Sequence, residues 1–129
     1  MAKQQHESLT NLTKIGVSED DAIQLRRISM QLHRWHELEC GVEYGGVERD
    51  ETTGKCTWYD SRTGRRSPTA DRETPALKRL AKIMERYPHL GYYVQGDPRG
   101  CALYVLRPGD VPADGSADAY YNRGIAIYK

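Results

Sequence analysis

Ala22, Leu25, Ile28, Leu32 and Trp35 recur at steps of three and four, and charged or amide side chains fill most positions between them. That spacing puts one apolar stripe along a helix. Ser18 stands before it as an N-cap, and Glu19, Asp20 and Asp21 occupy a first turn where the helix dipole favours acids. Gly41 follows as a C-terminal stop, so the pattern predicts a helix from Glu19 to Glu39. Leu77, Leu80, Met84 and Tyr87 form a second stripe, closed by Pro88. Its start lies at Asp71 or at Thr74, the latter putting Pro75 at the first helical position.

Between and after these helices the pattern turns to strands. Val42–Arg49 and Lys55–Ser61 read as two short strands joined by residues 50–54, with Gly45-Gly46 as a bulge. Arg62–Pro68 reads as a basic loop. Leu90–Gln95 and Cys101–Arg107 flank Gly96-Asp97-Pro98-Arg99-Gly100, whose residues demand a tight turn, so this stretch is a hairpin. A polar loop over 108–119 leads to a last strand at Tyr120–Tyr128, with Tyr121, Arg123, Ile125 and Ile127 on one face. The order α-β-β-α-β-β-β predicts a two-layer α+β domain over 18–129, two amphipathic helices packed on a mostly antiparallel sheet. Residues 1–17 have weak periodicity and read as a flexible N-terminal arm.

A chain of 129 residues suffices for one domain with a core of its own. No apolar run approaches a membrane span and 1–17 lacks a signal-peptide stretch, so a cytoplasmic protein with no membrane partner is expected. Three irregularly spaced cysteines, Cys40, Cys56 and Cys101, argue against a disulfide framework. The net charge of +1 conceals an asymmetry. Residues 1–61 hold 7 Lys/Arg against 11 Asp/Glu, residues 62–107 hold 10 against 4, and residues 108–129 hold 2 against 3. Two readings of that basic middle stand: a polyanion-binding face, or complementarity to the chain's own acidic first helix.

His33, His36, Glu37 and Cys40 share one helix face and are metal candidates, but no second ligand cluster accompanies them. No phosphate-binding glycine loop, nucleophile elbow or HExxH occurs, so neither an enzyme nor a cofactor is expected. The basic segment carries more. Arg62, Arg65 and Arg66 lie on the loop, and Lys78, Arg79, Lys82 and Arg86 form a row on the second helix. With Arg99 they suit phosphates or an acidic surface, and tyrosines such as Tyr92, Tyr93, Tyr104, Tyr120 and Tyr121 suit base stacking on an open sheet.

Leu25–Gly41, Ala70–Glu73 with Ala76–Leu80, and above all Gln95-Gly96-Asp97-Pro98-Arg99-Gly100 resemble segments of small accessory proteins of tailed bacteriophages and prophages. The resemblance spans roughly 22–128 and supplies no catalytic residues. It implies a host-cytoplasm setting and a non-enzymatic protein that blocks a host defence complex such as a CRISPR–Cas effector. The expected contacts are Gln95, Asp97, Arg99, Tyr93 and Tyr104 of the hairpin, Arg62, Arg65 and Arg66, the row Lys78, Arg79, Lys82 and Arg86, and Arg123. Two alternatives remain open: nucleic-acid binding in phage replication or regulation, and sequestration of a nucleotide immune signal by Arg99, Arg123 and tyrosines.

Overall fold

The computed structural model describes residues 2–94, 101–111 and 124–128. Its elements are α1 (Ala2–Lys14), α2 (Glu19–Cys40), β1 (Gly45–Arg49), β2 (Cys56–Asp60), β3 (Arg66–Thr69), α3 (Glu73–Met84), β4 (Gly91–Val94), β5 (Cys101–Leu106) and β6 (Ile125–Tyr128). The α+β class holds. The strands form two antiparallel three-stranded sheets, β1-β2-β3 and β4-β5-β6, rather than one.

The helix α2 joins them. Ser18 caps it by accepting from the Asp21 N–H at 3.2 Å, and the chain leaves it at Gly41 with φ 96°. Its N-terminal and middle turns send Leu25, Ile28 and Leu32 into the main core with Leu80, Ile83, Met84 and Tyr87 of the α3 region and Leu103, Val105, Ile125 and Ile127 of the second sheet. Its last turns send Trp35 and Leu38 into a separate cluster with Val47, Cys56 and Trp58 of the first sheet. One stripe therefore serves two sheets in succession.

Four expectations need correcting. The N-terminal segment is helical, and Leu12 and Val17 are buried in the main core. A stripe as sparse as Leu9, Leu12 and Ile15 is weak as a periodicity, yet Leu12 with Leu9, Ile15 and Val17 packs on the main core, and Ser8 donates to the Ala126 carbonyl of β6 at 3.2 Å. Arg66–Thr69 of the supposed loop is an edge strand, with Ser67 opposite Trp58 and Pro68 opposite Thr57. Leu77 is exposed, while Ala76 and Ile83 take the inward positions. Gly45-Gly46 is not a bulge: Val42 and Gly45 exchange hydrogen bonds of 2.7 and 3.2 Å in a tight turn into β1. A side chain at Gly45 would collide with the Tyr59 carbonyl and the Trp58 ring.

The irregularity in the second sheet falls at Ala102, where the β5–β6 register shifts between Cys101 and Leu103. The bulged Ala102 N–H is satisfied by Ser29 Oγ at 3.3 Å, and the same hydroxyl donates to the Ile127 carbonyl at 2.6 Å. Ser29 is fully buried, so it ties α2 to two strands at once. Ser29→Ala strands a buried N–H and a carbonyl, and is expected to cost about 1–3 kcal/mol in urea unfolding.

Candidate functional site

Around the α2–α3 junction the sequence sets acids and arginines close together. Asp71 lies just before α3 and accepts from the Glu73 and Thr74 N–H groups at 2.9 and 3.2 Å. The capping therefore comes from the Asp71 alternative, and Pro75 lies within the first turn, where a missing N–H costs little. Both Asp71 oxygens also accept from Arg49 of β1, at 3.1 and 3.0 Å. Glu73 stands 3.5 Å and Glu39 4.0 Å from the same guanidinium. Glu39 in turn accepts from the Trp35 indole N–H.

This arrangement shifts its ionisable groups in opposite directions. The Arg49 bonds, followed by that of Thr74, hold Asp71 far below the usual carboxylate range. Burial, then the negative charge of Glu39, pushes Glu73 up. Burial likewise raises the Cys56 thiol, with Arg49 opposing, so Cys56 is not poised as a nucleophile. Through Arg49 and Asp71 the junction ties the first sheet to the start of α3.

The basic residues divide into two groups. Three are held by the chain's own acids: Arg62 by Asp60 at 3.3 Å, Arg66 by Glu48 at 2.5 Å and Arg86 by Asp21 at 2.6 Å. Arg66 also lies over the Tyr59 ring, 5.0 Å from its centroid. Asp21 accepts at 2.6 Å from the Tyr87 hydroxyl, and this bond more than Arg86 holds its carboxyl low. Lys78, Lys82 and Arg65 are exposed and form no ion pair with any described residue. Arg79 is exposed and bonds the neutral Gln31 amide oxygen at 2.6 Å.

The aromatic expectation needs correcting as well. Tyr104 is 1 % exposed and cannot stack on a base; it packs with Leu106 against the half-buried Tyr93 and Ala126. Both faces of β5 are buried, since Leu103 and Val105 fill the other side. Gln95, Asp97, Arg99, Arg123, Tyr120 and Tyr121 lie outside the described residues. The metal candidates resolve into pairs. His33 Nδ1 lies 2.9 Å from Glu37, and His36 Nε2 lies 3.6 Å from Cys40 Sγ. Among the described residues no group of three or more His, Cys, Asp or Glu is placed to hold a metal ion.

Sequence reasoning missed Arg34 and Arg72 as site residues. They meet Arg79 around a concavity of about 270 Å³ between α2 and the start of α3. The available signal was the placement of Arg72 beside a capping aspartate, which fixes it at the helix entrance. No protein-family model, curated protein or solved structure matches the chain. Among the described residues, no helix is long and apolar enough to cross a membrane.

Proposed function

We propose that the protein is a phage-encoded, non-enzymatic binding protein that inhibits a host defence complex, foremost a CRISPR–Cas effector, in the host cytoplasm. The observation that carries this reading is the exposed α3 face, where Lys78, Arg79 and Lys82 have no carboxylate partner among the described residues. Arg62, Arg66 and Arg86 are already neutralised, which narrows the contact surface to this face and its neighbours. Exposed cations of this kind set association rate and partner choice more than affinity, as an occluding protein requires. The burial of Tyr104 removes one stacking platform, so an acidic protein surface is favoured over single-stranded nucleic acid.

The test is plaquing of a targeted phage on a host with active CRISPR–Cas interference. The expressed chain is expected to restore plaquing, and Lys78→Glu/Lys82→Glu to abolish most of that rescue while keeping the fold. With purified effector, the double reversal is expected to slow association about tenfold or more at low salt. No rescue by the unaltered chain, on a host where disabling the effector does rescue, overturns the reading. A salt-sensitive shift of DNA by the chain alone would move it to the nucleic-acid alternative.

A further inference from the structure

The concavity between α2 and α3 shares only Arg79 with the cationic face described above, and the rest of its composition is its own. Arg34 enters from α2, Arg72 from the residue preceding α3, and Arg79 from within α3; Trp35, Leu38 and Pro75 supply apolar wall. All three arginines are exposed, and none is in an ion pair with a described residue. Asp71 also lines the concavity, but both its oxygens are taken by Arg49. Three positive charges thus border a hollow whose single carboxylate is already compensated.

We propose that this concavity binds a terminal phosphate monoester, such as the 5′-phosphate of a nucleotide. A monoester carries about −1.5 to −2 charge at pH 7 and three acceptor oxygens, against one charge for a carboxylate. Guanidinium forks match such an oxyanion in bidentate fashion, and three of them call for more than one negative charge. The volume of about 270 Å³ is at the small end for ligand pockets, enough for the phosphate and the adjoining part of the ligand. Leu38 and Pro75 give the uncharged part an apolar rest. The two sources of this group are a free nucleoside monophosphate and the phosphorylated end of a strand.

Calorimetric titration of the full chain tests this with AMP, adenosine, and one short DNA oligonucleotide carrying either a 5′-phosphate or a 5′-hydroxyl. AMP or the phosphorylated oligonucleotide is expected to bind, and adenosine and the hydroxyl form to bind far more weakly. Arg34→Gln/Arg72→Gln, verified as folded by circular dichroism, is expected to weaken binding about tenfold or more. Arg72→Gln alone serves if the double variant fails to fold. Lys78→Gln/Lys82→Gln is expected to weaken this affinity far less than the arginine pair does, which separates the pocket from the face tested by plaquing. Binding is also expected to weaken from pH 7.5 to 5, because a monoester takes up its second proton near pH 6.

Tighter binding of AMP assigns the free nucleotide, and tighter binding of the phosphorylated oligonucleotide assigns the strand end. No binding of either phosphate ligand overturns the proposal. So does equal binding of adenosine and AMP, equal binding of the 5′-hydroxyl and 5′-phosphorylated strands, or affinity that survives loss of the arginines.

Discussion

Trp35→Ala is expected to lower the unfolding free energy by about 3–5 kcal/mol, the range for removing a buried large aromatic. Trp35 is 2 % exposed and is the largest buried side chain of the cluster that joins α2 to Val47 and Cys56 of the first sheet. Its indole N–H also bonds Glu39, so the truncation removes packing volume and a hydrogen bond together. The main core around Leu25, Leu80 and Leu103 does not include Trp35. Hydrogen exchange is therefore expected to show protection lost first in β1–β3, with the β4–β6 amides retaining more. Urea unfolding measures the total, and a loss below about 1 kcal/mol would mean that the first sheet is held by something other than this cluster.

The second large effect is expected at Arg49→Leu. Breaking a buried ion pair costs about 3–5 kcal/mol. Here Arg49 and Asp71 retain 27 % and 26 % of their side-chain exposure, which water screens in part. A cost of about 2–3 kcal/mol at pH 7 is therefore expected. The pH dependence should shift towards greater relative stability in acid. In the unaltered chain Asp71 titrates below its unfolded value, so its contribution is complete above about pH 4 and lost as the pH falls further. Glu73 acts in the other direction, since its carboxyl is raised by burial and by Glu39.

Without Arg49, the carboxylates of Glu39, Asp71 and Glu73 lose the guanidinium that stands among them. Glu73, already raised by burial, then loses the guanidinium that opposed its rise, while Asp71 keeps the Glu73 and Thr74 N–H bonds that hold it low. Stability is therefore expected to rise more steeply than in the unaltered chain as the pH falls from 7 towards about 4. Urea midpoints across that range decide it, and a fall instead would show that Arg49 is not what balances these acids. The Trp35 and Arg49 effects should not add, because both side chains touch Glu39.

The helices were largely legible because their signals are local. Ser18, the acidic first turn and Gly41 frame α2, and each of these does in the structure what its chemistry suggests. The division into two sheets was not legible, because an unbroken stripe from Ala22 to Trp35 does not announce that its lower half meets different strands. The short β3 was hidden by its composition: Arg66, Ser67 and Pro68 look like a loop, and only pairing with Tyr59, Trp58 and Thr57 makes them a strand. At the site, sequence identified the cationic row but not which members the chain neutralises for itself. Arg66 finds Glu48 across 18 positions and Arg86 finds Asp21 across 65, separations that no local pattern reveals.

Pro68, placed in the outermost strand of the first sheet, has a consequence for behaviour at high concentration. Proline has no amide hydrogen to offer, and Arg66 puts a charge on the same short segment. A neighbouring molecule trying to extend the sheet there meets a broken ladder and a cation, so this rim is a poor template for fibril growth.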